Sequence, residues 1–174
     1  MHNLRYLVCA TLLMVAVAAA DDAAQIHVQL DSLSSSEELV PVDGITASGQ
    51  PDAEQLALFA AAGYVAVVDL RGESEDRGLD EAAAVENLGL DYVNLPISGA
   101  DAISWDNATK LEEILASYAG PVLVHCGSGN RVGALLALSS SKNGADDEDA
   151  VAYGRAAGLT GLESVVRSRL AEDE

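Results

Sequence analysis

A cysteine, an arginine five residues after it and the small residues between them are the part of this chain best suited to chemistry. The segment Val122-Leu-Val-His-Cys-Gly-Ser-Gly-Asn-Arg-Val-Gly133 runs from a β-branched apolar stretch into Cys126 and on to Arg131. Val122 to Val124 is short enough for a buried parallel strand, and Val132 to Leu138 is long enough for a helix. The residues from Cys126 to Arg131 therefore form a strand-to-helix turn. In such a turn the backbone N–H groups of Gly127, Ser128, Gly129 and Asn130 can converge on one anion, helped by glycine's conformational freedom and the positive potential of a helix N-terminus. The same amides and the nearby Arg131 favour the thiolate of Cys126, the nucleophilic form of cysteine.

The chain has two cysteines. Cys9 lies within residues 1–20, where Arg5 precedes an apolar core from Tyr6 to Val17 and Ala18-Ala19-Ala20 offers a small-residue cleavage site. That is the pattern of a secretory signal, which implies a periplasmic or secreted protein. The apolar run is shorter than a comfortable membrane span, and an uncleaved anchor stays open as the alternative. Cleavage would leave Cys126 alone, without an intramolecular disulfide. A lone thiol in an oxidising compartment is either buried as a small hydrophobe or used, and the flanking glycines and arginine favour use.

Composition narrows the partners. The formal net charge is −19, and loss of Arg5 makes it −20. Nucleic acid and anionic membrane surfaces are excluded as natural ligands, so no stable membrane association is expected after signal cleavage. Against so acidic a body, Arg131 and Arg71 are scarce positive charges that would draw a small anion. The acidic run Asp146 to Asp149 reads as a solvated helix N-terminus rather than a metal site. No motif calls for a metal or an organic cofactor, and no catalytic histidine–acid dyad is evident.

The elements that must position the cysteine follow from periodicity and punctuation. Residues 21–44 read as a flexible or edge segment, with Glu38 to Ile45 able to supply a first strand or extended arm. Asp52 and Gln55 form a capping box that opens a helix ended by Gly63. Val65 to Leu70 is a buried strand, Asp80 to Leu88 a helix, and Tyr92 to Leu95 a further strand. A loop through Asp101 and Trp105 leads to a helix from Ala108 to Tyr118, with Asp106 as its possible cap. After the cysteine segment, Asp146 opens a helix to about Ala157, and Thr160 with Glu163 forms a capping box for the last one. Strands alternating with helices predict an α/β fold: a compact, mostly parallel sheet flanked by helices on both faces, with ligands at the carboxyl ends of the strands. Asp69 to Arg71, Asp101 and Cys126 to Arg131 all fall at such ends. About 150 residues suit one domain with one core.

From about Ile45 to Leu170 the chain resembles the protein tyrosine phosphatase-like domain also known as the beta-lactamase hydrolase-like or DUF442 family. The residues carrying the likeness are Ser48-Gly-Gln-Pro51, Val67-Val-Asp-Leu-Arg71 with Glu73, Tyr92-Val-Asn-Leu-Pro96, and His125-Cys126 with Asn130-Arg131. The resemblance implies a cysteine-phosphatase-like domain over residues 45–174, with Cys126 as nucleophile and Arg131 on the substrate oxyanion. It also implies a supporting role for His125, which would order the loop. Asp101, upstream of the cysteine strand, corresponds to the general acid of dual-specificity phosphatases, although an ordinary loop aspartate is an equal reading. Asp69 is read as a satisfied strand-end carboxylate, and Arg71 as either a partner of Glu73 or an anion holder. Trp105 either walls the pocket or packs.

Two departures keep other functions in view. Four residues separate Cys126 from Arg131 where tyrosine phosphatases have five, a length shared with rhodanese-like sulfurtransferases. Val132 stands where phosphatases usually place Ser or Thr, which should slow hydrolysis of the phosphoenzyme. The expected function is an exported cysteine-dependent phosphatase acting on phosphate monoesters, phosphotyrosine among them, with a small anionic substrate or a phosphorylated protein as partner. A sulfurtransferase working through a Cys126 persulfide is the alternative, and a noncatalytic anion- or protein-binding module the third reading. The sequence assigns neither oligomeric state nor physiological substrate.

Overall fold

The computed structural model describes residues 26–172, so the signal-like segment and Cys9 lie outside the described residues. Five parallel strands form one sheet: β1 (His27–Val28), β2 (Ile45–Ser48), β3 (Ala66–Asp69), β4 (Asp91–Asn94) and β5 (Val122–His125), in the order β1-β2-β5-β3-β4. The last strand in sequence thus lies at the centre. Its register is flush with both neighbours, since His125 pairs with Ser48 on one side and with Asp69 on the other. Whatever follows His125 therefore emerges in the middle of the sheet's carboxyl edge.

Helices cover both faces. α1 (Ala53–Ala61) and α2 (Glu81–Asn87) pack on one, with Leu56, Phe59 and Val85 against Val67 and Leu123. On the other, α3 (Trp105–Ala116), α4 (Asn130–Lys142), α5 (Asp147–Ala156) and α6 (Glu163–Ala171) enclose Val68, Val122 and Val124. Successive strand residues point to opposite faces, so a strand buried on both sides must be apolar at every position, which is why Val122-Leu-Val124 shows no alternation. None of the described helices is long and apolar enough to cross a membrane.

Local chemistry sets most boundaries where expected. Asp52 accepts from the Gln55 N–H at 2.8 Å while the Gln55 side chain accepts from the Asp52 N–H at 2.9 Å, a capping box of the kind worth about 1 kcal/mol. Asp80 caps α2 and Asp146 caps α5. Three expectations are corrected. The extended arm before Ile45 is interrupted by Asp43 and Gly44, both at positive φ, so β2 begins only at Ile45. α3 starts at Trp105 because Ser104 accepts from the Asn107 N–H; Asp106 lies in the first turn and is not the cap. The capping box at Thr160 does not form: Leu162 is the N-cap of α6, and Glu163 turns to Arg155 and Arg167 instead.

Gly133 lets α4 lie close against α5. A Cβ there would overlap the backbone of Gly154 and Leu159, neither of which can give way. The helix that begins at the cysteine loop is thereby locked in place.

Candidate active site

Cys126 directly follows β5 and is 1% exposed, the floor of a turn whose Gly127 and Ser128 face solvent. Its N–H reaches Ser48 O at 3.4 Å, and Ser128 forms an isolated bridge with Gly49, so the end of β2 holds one side of the turn. Gly129 is the N-cap of α4 in the left-handed conformation, φ 83°, and a Cβ there would strike the His27 ring. The first helical bond runs from Gly133 N–H to Gly129 O, which leaves the amides of Asn130, Arg131 and Val132 without helical acceptors. Those amides and the helix dipole give the turn its positive potential.

The Asn130 side chain points elsewhere: its Oδ1 accepts from the N–H groups of Thr160 and Leu162, at 2.8 and 3.3 Å, and ties the α5–α6 connection to the turn. Val132 is fully buried in the core, where a hydroxyl would have no solvent.

Arg131 is held by a residue the sequence did not single out. Its Nη1 and Nη2 donate to the two oxygens of Glu75 at 2.6 and 2.7 Å, and Nη1 also donates to Ile97 O at 3.0 Å. Glu75 accepts in addition from the Gly72 N–H at 2.8 Å. The Arg131 hydrogen bonds, set against modest desolvation, pull the Glu75 carboxyl down to about 2. The Arg131 guanidinium is stabilised in turn, chiefly by its hydrogen bonds to Glu75, which outweigh its partial burial.

Behind the turn lies a buried ion network. Arg71 donates from its backbone N–H and Nε to Asp69 at 2.8 and 3.2 Å and from Nη2 to Glu81 at 2.8 Å; it does not pair with Glu73 and is 2% exposed. It is therefore enclosed by its own partners and cannot meet an external anion. Arg77 adds 2.7 Å to the other oxygen of Asp69, and the Tyr92 hydroxyl donates there at 2.9 Å. Burial alone would raise the Asp69 carboxyl, but the His125 charge and the hydrogen bonds from Arg71 and Arg77 outweigh it and hold Asp69 low. Burial and the charge of Asp69 push Tyr92 up to about 12, so it stays a donor. His125 brings Nε2 to 2.7 Å from Glu81 Oε1, a close contact short of a directed hydrogen bond, and its Nδ1 is buried without a partner.

Asp69, Glu81 and His125 place ligand-type atoms within 4.8 Å of one another. Two guanidinium groups already lie on those carboxylates, so their lone pairs are engaged by Arg71 and Arg77. Asp101 stands apart from this assembly. It lies in a short 3-10 turn after β4, its side chain is fully exposed, and its nearest charged partner is Arg169 Nη2 at 4.0 Å. Trp105 is half-buried and packs on the main core. The sequence thus brought Cys126, the turn, Arg131, His125 and Asp69 to one place, and missed Glu75, Arg77 and Glu81. The signal for Glu81 was present: it shares a helix face with the buried Val85, four residues on, an odd place for an acid without a partner.

Two larger cavities, about 610 and 470 Å³, lie away from this site, around Asp43, Ile45 and Leu115. A smaller one of about 300 Å³ borders the turn, lined by His27, Gln50, Gly127 and Ser128 among others. The cysteine turn is the chemically built site, because convergent amides and a clamped arginine lie there and not in the larger grooves.

A parallel sheet with a cysteine turn at its central strand defines a protein of the cysteine-phosphatase fold. The chain belongs to the family described as beta-lactamase hydrolase-like protein, phosphatase-like domain, which matches residues 39–143. A beta-lactamase hydrolase-like protein of Xylella fastidiosa is 37% identical over 117 residues, covering 64% of this chain and 27% of that one. The chain thus matches about a quarter of the length of that curated relative. Among solved structures, a candidate phosphatase of Neisseria meningitidis superposes with a TM-score of 0.61 at 18% identity, covering 71% of this chain and 91% of that one. P. aeruginosa TpbA in complex with pTyr gives a TM-score of 0.56 at 21% identity, covering 71% and 76%. At these identities the structures speak for the fold.

Proposed function

We propose that this chain is an exported cysteine-dependent phosphatase that hydrolyses phosphate monoesters. The observation that carries the reading is the pairing of Cys126 with Arg131 across one short turn at the end of the central strand, with the guanidinium held by both oxygens of Glu75 and by the Ile97 carbonyl. In the reaction, the Cys126 thiolate attacks phosphorus in line and the P–O ester bond breaks. The turn amides and Arg131 meet the charge on the equatorial oxygens, and water then cleaves the S–P bond to release phosphate. The leaving oxygen needs a proton, and the exposed carboxyl of Asp101 is the proposed donor. Asp101→Asn should slow hydrolysis of an alkyl phosphate more than that of p-nitrophenyl phosphate, whose leaving group needs a proton less; equal rates for wild type and variant on both would remove Asp101 from the mechanism.

An aryl phosphate such as phosphotyrosine is the first substrate class to test, supported by the phosphotyrosine complex described for the TpbA neighbour. Export is proposed from the basic and then apolar residues 1–20 and the small residues before Asp21. Sulfur transfer is kept as a second reading because four residues, not five, separate Cys126 from Arg131 and Val132 offers no hydroxyl. The two are separated by turnover of p-nitrophenyl phosphate and of thiosulfate with cyanide, using wild type and Cys126→Ser under reducing conditions. Phosphate release that depends on Cys126 supports the phosphatase; thiocyanate formation alone would replace it with the sulfurtransferase.

A further inference from the structure

The N-terminal strand touches the reacting turn at a point that the reaction above does not use. β1 pairs with β2 in parallel, His27 opposite Ala47 and Val28 opposite Ser48, so it runs along the strand whose end, Gly49, bridges to Ser128. A Cβ on Gly129 would lie 2.5 Å from His27 Nε2 and 2.8 Å from its Cδ2. Gly158, which follows α5, faces the same ring: a Cβ there would lie 2.7 Å from His27 Cδ2 and 3.2 Å from the Gly129 carbonyl carbon. The imidazole thus fills a notch that two glycines keep open between the turn and the α5–α6 connection. Its Nε2 is buried without a partner, and only Nδ1 is engaged, by the Gln29 side chain at 3.3 Å. Burial lowers the pKa of the ring and favours its neutral form, so the contact is one of packing. The family match spans residues 39–143 and includes neither His27 nor Gly158.

We propose that His27 is a positioning residue for the anion-binding turn, acting through Gly129 and not on the substrate. The peptide that joins Gly129 to Asn130 carries two groups the turn depends on. Its carbonyl accepts the first helical bond of α4, from Gly133 N–H at 2.9 Å, and its N–H is one of the free amides at the helix start. Glycine at φ 83° resists rotation little by itself, so the aim of that peptide is set by what packs on it. On the α5–α6 side the Asn130 side chain holds the turn through the Thr160 N–H; on the β1 side the His27 ring does. An amide that drifts from the transition-state oxygen costs rate with little cost to folding. An edge strand outside the matched family region thereby completes the site.

The role rests on the turn being the reacting site, as proposed above. In His27→Gly, kcat/KM for p-nitrophenyl phosphate should fall about tenfold while the circular dichroism stays that of the wild type. Added imidazole near about pH 8, where it is mostly neutral, should restore most of the loss in a saturable way. The Gly129 and Asn130 amide signals in nitrogen NMR should shift in the variant and return with imidazole. A rate within about twofold of wild type overturns the proposal, as does a loss in the folded variant that imidazole leaves unrepaired. Should His27→Gly fail to fold, His27→Gln keeps most of the ring's volume: a loss of about threefold with the same two amides displaced supports the role, and unmoved amides end it. Amides that shift and return, in a protein whose wild type releases no phosphate, would remove the phosphatase and leave the positioning role standing. Phosphate turnover equal in wild type and variant would do the reverse.

Discussion

Arg131 and Arg71 both grip carboxylates at the carboxyl edge of the sheet, but their surroundings differ sharply. Arg71 is 2% exposed between two acids that are fully buried, whereas the Arg131 side chain is 19% exposed and its partner Glu75 37%. A buried pair holds its charges in place because a partner that leaves abandons an ion in the interior; a rim pair keeps its guanidinium within reach of solvent and so of an anion. The same residue types thus serve as scaffold in one place and as binding group in the other. The sequence-level expectation that both scarce arginines would attract an anion holds physically only for the one at the rim.

Four changes test that contrast. Cys126→Ser should reduce phosphate release by at least about a thousandfold while leaving the thermal midpoint nearly unchanged, as followed by p-nitrophenol release and calorimetry. Arg71→Met should destabilise the fold by about 3–5 kcal/mol in urea titration, because Asp69 and Glu81 lose their shared counter-charge; a loss under about 1 kcal/mol would mean the network is not the scaffold described. Arg131→Lys keeps the charge and removes the fork. It should cost about a hundredfold in kcat/KM and change stability by no more than about 1 kcal/mol, so a large loss of stability would erase the distinction between the two arginines.

The smallest effect concerns acid. Glu75 is lowered from 4.5 to about 2 in the folded protein, so its stabilising pair is complete above the ordinary carboxylate range and is lost as pH falls through about 2. Glu75→Gln should therefore remove part of the stability of the wild type at neutral pH, with the gap between the two narrowing as pH falls from about 4.5 to about 2. Thermal midpoints measured across that interval check the sign. A gap that widens on acidification would refute the assignment.

Local signals explain what could be read in advance. The capping box at Asp52, the cap at Asp146 and the apolar run Val122-Leu-Val124 are decided within a few residues of chain, and each lies where expected. The turn from Cys126 to Arg131 was legible for the same reason. What could not be read is the pairing across long separations: Glu75 with Arg131 spans 56 residues, and Glu81 meets His125 from a different element. Local preference even misled at Thr160 and Glu163, where two arginines from α5 and α6 compete successfully for the acid. Arg71 with Glu73 was a plausible neighbour pair, yet the strand end directs Arg71 inward to Asp69 and Glu81.

The most direct test is to quench p-nitrophenyl phosphate turnover with acid and determine by mass spectrometry whether a phosphoryl group sits on the peptide that carries Cys126. The account predicts a phosphoryl adduct on that cysteine, present in the wild type and missing in Cys126→Ser. Turnover without any adduct on Cys126, or an adduct on another residue, would contradict it.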